Sequence, residues 1–290
     1  MTTFHVKEIW RYPVKSMQGE RLQTCVLTAA GVPLDRGWAV LDHATKTLRG
    51  AKHIGALLNC SAQYIDGTSA GAVPHVTITL PDGSVTRSDQ TDVHERLSQA
   101  LGRAVTLCPL QPAEDADHYR VKGTETDSLE NELRLIFGLL PDESLPELST
   151  FGPKLLQELS QYATPRGAYY DACPIHLLTE ASIRRFQSLT PSSKLDVRRF
   201  RPNLLVSDSG GVGEFAENTW VGKRVTVGRS QLSVLLATMR CVMTTREQME
   251  LPHDSEIMRT LVRETDHCLG VYADVIASGE ITVGAEVTAA

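Results

Sequence analysis

Apolar and polar positions alternate in short runs through the first hundred residues, which is the period of half-buried β-strands. Runs at 6–14, 22–27, 38–42, 46–48, 57–65 and 76–80 each read as a strand, and the last is closed by the turn residues Pro81, Asp82, Gly83 and Ser84. One helix breaks the pattern at 93–101. It places Val93, Leu97, Ala100 and Leu101 on one face, behind a cap from Thr91 and Asp92 and ahead of Gly102 as a stop.

Residues 111–128 are polar and acidic and read as an interdomain linker or a flap. Helical spacing returns at 129–137 and at 153–162, the second with a proline in its first turn. A strand at 175–178 follows, and Thr179 caps a helix that runs to 189. Strands at 202–206, 220–227, 232–238, 271–277 and 281–287 complete the pattern, with a helix at 255–264 capped by Asp254 and with Gly284 permitting a bulge near the end. Helices occur as inserts and not as regular crossovers, so the expectation is a mainly β, α+β chain of two barrel-like units, divided at 1–120 and 121–290.

Composition narrows the function classes. The 290 residues suit two domains, and 41% hydrophobic with 22% charged residues is ordinary for a globular chain. A net charge of -6 argues against a broad nucleic-acid surface, and the basic cluster of Arg198, Arg199 and Arg201 reads as a solvated strand edge. The N-terminus has no apolar signal core, and no apolar run approaches the ~20 residues of a membrane helix, so a cytoplasmic protein is expected. Six cysteines at 25, 60, 108, 173, 241 and 268 form no Cys-x-x-Cys pair, which argues for reduced thiols and against zinc-knuckle or iron–sulfur motifs. Flavin, nicotinamide and phosphate-loop glycine patterns are also absent from the sequence.

Two features carry candidate chemistry. Cys241 follows the apolar run 232–237, beside Arg240 and the hydroxyls of Thr244 and Thr245. A cysteine among apolar residues is more often a small core residue, yet a thiolate beside a guanidinium can bind a metal or attack an electrophile. The other feature is a set of basic residues at strand ends: Lys15 with Ser16, Arg36, and Arg201 with Asn203. Guanidinium forks and hydroxyl donors there suit an anion held by side chains. A cysteine hydrolase or a histidine metal site finds no histidine signature, and Trp10, Trp38 and Trp220 read as packing residues.

Five motifs then occur in order: Tyr12-Pro-Val-Lys-Ser16, Asp35-Arg36-x-Trp38, Asp171-Ala-Cys-Pro174 leading into Leu178-Thr-Glu-Ala-Ser182, Arg199-Phe-Arg-Pro-Asn203, and Arg240-Cys-Val-Met-Thr-Thr245. Together they resemble MOSC-domain proteins with the N-terminal MOSC-type β-barrel, the group that includes the mitochondrial amidoxime-reducing component and its bacterial relatives. The resemblance spans residues 4–288. It implies a molybdenum cofactor, a pyranopterin dithiolene, with Cys241 as metal ligand and catalytic residue. It also implies that Lys15, Ser16 and Arg36 hold the pterin phosphate, that Arg201 and Asn203 contact the cofactor, and that Arg240, Asp171 and Cys173 bind it as well.

The activity implied is reduction of N-hydroxylated compounds such as amidoximes, hydroxylamines and N-hydroxylated bases, with electrons from a separate ferredoxin- or cytochrome-like carrier and its reductase. The acidic Glu114-Asp115-Ala116-Asp117 is either a contact for such a carrier or a solvated linker. A non-catalytic cofactor carrier or a sulfur-relay protein would use Cys241 equally, and the wider superfamily is also associated with pyridoxal phosphate. The chain departs from the pattern twice. Ala172 and Cys173 stand where relatives of the mitochondrial type carry two small hydroxyl residues, and Arg49-Gly50-Ala51-Lys52 replaces an Arg–Gln pair. Some bacterial relatives append a ferredoxin domain, whereas this chain ends at Ala290, so an external donor is expected.

Overall fold

The computed structural model describes residues 3–67, 73–208 and 214–289. The first strands are β1 (Phe4–Arg11), β2 (Glu20–Leu22), β3 (Thr24–Leu27), β4 (Trp38–Asp42) and β5 (Thr47–Arg49). They are followed by β6 (Ser61–Tyr64), β7 (Val76–Thr79), β8 (Val85–Arg87), helix α1 (Val93–Leu101) and β9 (Val105–Pro109). A helical stretch comes next, with α2 (Ala116–Tyr119), α3 (Leu129–Phe137) and α4 (Gly152–Gln161). Then come β10 (Ile175–Thr179), α5 (Glu180–Leu189), α6 (Val197–Phe200), β11 (Leu204–Asp208), β12 (Arg224–Val227) and β13 (Ser230–Met239). The chain finishes with α7 (Glu256–Glu264), β14 (Cys268–Ala277), β15 (Gly279–Thr282) and β16 (Glu286–Ala289).

The fold is α+β and mainly β, as the pattern predicts. Strands β11, β10, β14, β13, β12, β16 and β1 pair in that order, and β1 pairs back onto β11, which closes a seven-stranded barrel. Closure leaves no open edge in this part of the sheet. The barrel is filled by Val6 and Ile9 of β1, Ile175 and Leu177 of β10, Leu204 and Val206 of β11, and alternating residues of β12, β13 and β14. Its first stave therefore comes from the N-terminal end of the chain, and β3 likewise pairs with β15. Outside the barrel, Leu178 packs with Phe186, Phe200, Ile257 and Leu261 under α5, α6 and α7.

The N-terminal unit is built from two three-stranded sheets, β5-β4-β9 and β6-β7-β8. Trp38, Val40, Leu57, Leu58, Ile78, Leu97 and Leu107 fill its core, with α1 laid across it. Met243, from the turn that follows β13, is buried in this same core, and Cys241 packs against it. The C-terminal barrel thus sends its Cys241 turn into the side of the N-terminal unit.

Several sequence expectations are corrected. Residues 57–65 do not form one strand: Gly55–Asn59 is a 3-10 turn that buries the adjacent Leu57 and Leu58 together, which an alternating strand could not do. The stretch 22–27 is two strands, because β2 continues the ladder of β1 whereas β3 leaves to pair with β15. Similarly, 281–287 divides at Gly284, whose φ of +88 turns the chain between β15 and β16. In 220–227 the strand begins only at Arg224, after a 3-10 turn over Ala216–Trp220. The short strands β8 and β9 were not expected.

Residues 111–128 are not a free linker, since Tyr119 of α2 is fully buried with Ala39, Leu48, Tyr162 and Tyr169. Helix α7 starts one residue later than expected, at Glu256, and Asp254 still supplies its side-chain cap, Oδ1 accepting the Glu256 N–H at 3.0 Å. The cluster Arg198–Arg201 is no solvated edge either, because Arg199 is 1% and Arg201 6% exposed. Among the described residues no helix is long and apolar enough to cross a membrane.

Candidate functional site

All nine predicted site residues line one pocket at the seam between barrel and N-terminal unit: Lys15, Ser16, Arg36, Asp171, Cys173, Arg201, Asn203, Arg240 and Cys241. Distant parts of the sequence are joined there by the barrel's own pairing. β1 delivers Tyr12 to Ser16, β11 is preceded by Arg201 and Asn203, and β13 runs out into Arg240 and Cys241.

Asp35 ties the first two of these segments together. Its carboxylate accepts the Tyr12 N–H at 2.8 Å and the Asn203 Nδ2–H at 2.9 Å, and pairs with Arg36. Tyr12 in turn donates its O–H to the Pro202 carbonyl at 3.0 Å. Two guanidiniums lie over the Tyr12 ring, Arg201 at 4.1 Å and Arg36 at 5.1 Å from its centroid. Burial pushes the Tyr12 phenol well above its usual range, so it remains a hydrogen-bond donor.

Ser16, Arg36 and Arg201 all adopt positive φ, at 69, 54 and 54°. Such conformations are strained for residues with a Cβ and persist where the surrounding structure enforces them, often at ligand sites. The Lys15–Ser16 turn is pressed against Gly50: a Cβ there would meet Ser16 Oγ at 2.7 Å and Lys15 Cε at 3.3 Å. Ser16 Oγ accepts the Ala51 N–H at 2.9 Å, which leaves its own hydrogen to donate.

Charge in the pocket is mostly positive. Lys15 Nζ donates to the Tyr169 carbonyl at 2.8 Å and to Asp171 Oδ1 at 2.6 Å, while Lys52 Nζ stands 3.5 Å from Asp171 Oδ2. Burial opposes ionisation of Asp171, but the two lysines outweigh it and hold the carboxyl well below the usual carboxylate range. Lys15 is itself lowered by burial. Lys52, for which burial acts the same way, is raised by Asp171 and by its proximity to Cys241. Arg246, also within electrostatic reach of Cys241, donates to the Lys52 carbonyl at 2.8 Å.

Arg201 is the most unusual of the set. It is 6% exposed, and burial lowers its pKa to about 10. Among the described residues neither Nη1 nor Nη2 has a hydrogen-bond partner, and Nε of the buried Arg240 is also unpartnered. Buried polar groups are nearly always satisfied, so donors left over in a pocket mark the place of an absent acceptor. Arg240 otherwise donates to the Phe200 carbonyl and approaches His176 Nε2 at 3.4 Å.

The two pocket cysteines differ. Cys173 is 5% exposed and packed with Ala172, Leu236, Leu155 and Tyr272, and burial pushes its thiol up to about 12. Cys241 is half-buried in extended backbone at the start of a 3-10 turn, Val242–Thr245, whose Thr244 N–H bonds back to the Cys241 carbonyl at 3.2 Å. Among the described residues no group of three or more His, Cys, Asp or Glu could hold a metal. A metal at the Cys241 sulfur would therefore need further ligands from a bound molecule. The donor set fits that requirement: one thiol for a soft metal, and unpaired guanidinium hydrogens with Lys15 and Ser16 for an anionic arm.

Sequence reasoning missed Tyr12, Lys52, His176 and Tyr272 as parts of this site. Tyr12 and Lys52 stand inside segments that were singled out, so their neighbours carried the signal. His176 and Tyr272 lie within mainly apolar strands, where no motif marks them.

The architecture is a closed β-barrel joined to a smaller β unit, with an anion-ready pocket between them. The MOSC domain family matches residues 164–288, and the MOSC N-terminal beta barrel domain matches residues 3–107. The mitochondrial amidoxime-reducing component 1 of Mus musculus is 25% identical over 254 residues, covering 83% of this chain and 65% of that protein. The mitochondrial amidoxime reducing component 2 of Bos taurus is 25% identical over 247 residues, with 83% and 66% covered. The chain thus spans just under two thirds of the length of these curated relatives. Among solved structures, the YUAD protein from Bacillus subtilis aligns over 99% of this chain and 94% of that one at 10% identity, with a TM-score of 0.43. The chain is a MOSC-domain protein carrying the N-terminal MOSC β-barrel domain, and a relative of the mitochondrial amidoxime-reducing components.

Proposed function

We propose that this protein is a molybdenum-cofactor-dependent reductase of N-hydroxylated compounds that draws electrons from a separate carrier protein. The observation that carries this reading is the pairing, in one pocket, of the Cys241 thiol with buried guanidinium donors on Arg201 that have no partner. Cys241 Sγ would ligate the metal. Arg201, Arg36, Lys15 and Ser16 would hold the pterin phosphate, with Asn203 and Arg240 completing that wall and the Asp171–Cys173 loop beside it. When bound there, a pyranopterin-dithiolene molybdenum centre supplies two-electron oxygen-atom-transfer chemistry.

The remaining work falls to side chains. Converting N–OH to N–H with release of water consumes two electrons and two protons. Lys52 Nζ, held protonated beside Asp171, is a donor near Cys241. Asp171, held ionised, accepts hydrogen bonds and orients both lysines. His176, kept neutral by burial and by Arg240, adds no charge to an already cationic wall.

The test is to express the protein with molybdate available, measure molybdenum per chain, and assay amidoxime reduction with a strong artificial donor and with NADH alone. Expected are near-stoichiometric metal, turnover with the artificial donor, none with NADH until a carrier and its reductase are added, and loss of turnover in Cys241→Ala. A persulfide on Cys241 in metal-free protein would instead establish the sulfur-relay alternative, and full activity of Cys241→Ala would remove the cysteine from the assignment.

A further inference from the structure

His176 is buried at 4% exposure on β10, the one described strand of five residues with every position buried. Alternation along β10 places Ile175 and Leu177 in the barrel core, so His176 and Leu178 face outward, Leu178 under the helices and His176 under the pocket. Three predicted cofactor residues meet at this histidine. Its backbone N–H donates to Asn203 Oδ1 at 3.1 Å, and its carbonyl accepts the Asn203 N–H at 2.8 Å. Nδ1 lies 3.4 Å from the Arg201 carbonyl, and Nε2 lies 3.4 Å from Arg240 Nη1.

One neutral tautomer meets both side-chain contacts together: with the hydrogen on Nδ1 the ring donates to the Arg201 carbonyl, and the Nε2 lone pair faces the Arg240 guanidinium, which only donates. Burial and the Arg240 charge keep the ring neutral, against the pull of the Arg201 and Leu269 carbonyls. The ring is also wedged in place. Gly270, at a φ of +85, lies so close that a Cβ there would come within 2.5 Å of Nε2, and the Tyr272 ring stands edge-on at 5.8 Å.

We propose that His176 is a positioning residue whose neutral imidazole clamps the Arg201 backbone and the Arg240 side chain, so that their unpartnered donors remain set for an anionic ligand. With Nη1 and Nη2 of Arg240 engaged by His176 and Phe200, its Nε is left over. With the Arg201 carbonyl engaged at its left-handed position, both of its terminal nitrogens are left over. The proposal rests on the reading of this pocket as a cofactor site, but it concerns anion binding by the protein itself.

The experiment compares His176→Gln, which keeps a donor and an acceptor, with His176→Leu, which keeps neither. Inorganic pyrophosphate is titrated calorimetrically into cofactor-free protein, and molybdenum per chain is measured in protein expressed with molybdate. Expected is pyrophosphate binding by the unaltered protein, weakened about tenfold in His176→Leu and restored to within about threefold in His176→Gln, with melting temperatures of the two variants alike. Molybdenum content should follow the same order. Equal affinity in both variants and the unaltered protein would overturn the clamp while leaving the cofactor reading intact. Molybdenum-free protein that also ignores pyrophosphate would overturn both. If His176→Leu does not fold, His176→Asn serves instead, since its shorter amide can meet the Arg201 carbonyl but cannot span to Arg240 as well. Unchanged pyrophosphate affinity in a folded His176→Asn protein would sink the proposal.

Discussion

Arg199 and Arg201 stand two residues apart, at the end of one short helix, and both are almost wholly buried, yet they face opposite regions with opposite outcomes. Behind the site, Arg199 donates to four backbone carbonyls: Lys194 at 3.0 Å, Thr244 at 3.2 Å, Arg246 at 3.1 Å and Pro252 at 2.7 Å. It thereby pins the turn that follows Cys241. On the pocket side, the terminal nitrogens of Arg201 find no acceptor among the described residues. One guanidinium is completed by folding, and the other is left for something folding does not supply. Desolvating a charge is costly unless it is hydrogen-bonded, so the first arginine serves stability and the second sacrifices some of it.

The largest expected effect breaks the satisfied half of that comparison. Arg199→Met leaves four buried carbonyls without their donor, and stability should fall by on the order of 3–5 kcal/mol, read from urea unfolding. A loss below about 1 kcal/mol would mean that water replaces the guanidinium and that the turn stands without it.

Arg201→Met should behave in the reverse way. It relieves an unpaired buried charge while losing the contact over Tyr12, so stability should stay within about 1 kcal/mol of the unaltered protein. Molybdenum content should nevertheless fall severalfold. Unfolding of Arg201→Met with occupancy unchanged would make this arginine structural and erase the contrast.

The two pocket cysteines repeat the contrast more weakly. At about pH 8 a thiol pushed up to about 12 is almost entirely protonated, so a soluble alkylating reagent should label Cys241 in cofactor-free protein and spare Cys173. Cys173→Ala should cost roughly 1 kcal/mol and keep most activity, whereas Cys241→Ala should lose it. Mass mapping of the label decides between them, and equal labelling would show that burial does not protect Cys173.

What the sequence carried and what it withheld follow the same divide. Pocket residues were legible because strand ends and tight turns need particular chemistry, and Lys15, Ser16, Arg36, Arg201 and Cys241 all sit there. Long strands with clear alternation, such as β13, were legible as well. Three-residue strands such as β8 contain too few positions to display a period. Leu57 and Leu58 looked like strand residues because adjacent apolar residues suit a buried strand and a 3-10 turn equally. Closure of the C-terminal barrel by β1 could not be read at all. It depends on a pairing between Phe4–Arg11 and Leu204–Asp208, and such long-range register leaves no local mark. His176 was missed because β10 is buried on both faces, which removes the alternation that would have set a polar residue apart.

The smallest expected effect tests a buried carboxylate that folding satisfies without any cation. Glu217 is fully buried and accepts from Thr179 Oγ1 at 2.6 Å, Ser182 Oγ at 2.6 Å and the Thr179 N–H at 3.3 Å, at the N-terminus of α5. The hydroxyls and the helix terminus favour the charged form, but burial prevails and raises the carboxyl above its ordinary value of 4.5. In the window between the two values the folded chain binds more protons than the unfolded one. The stability this group contributes is therefore fully present below 4.5 and is lost as pH rises through the raised folded value. Glu217→Gln removes the titration while keeping an oxygen acceptor, and the Thr179 and Ser182 hydroxyls can reorient toward its amide. The variant should match or fall below the unaltered protein at acid pH and gain on it as pH rises to neutrality, with molybdenum content unchanged throughout. Urea unfolding at a series of pH values reads this directly. A stability difference that shrinks with rising pH would mean that the hydroxyls and helix terminus outweigh burial, and that the carboxylate is held ionised by the fold.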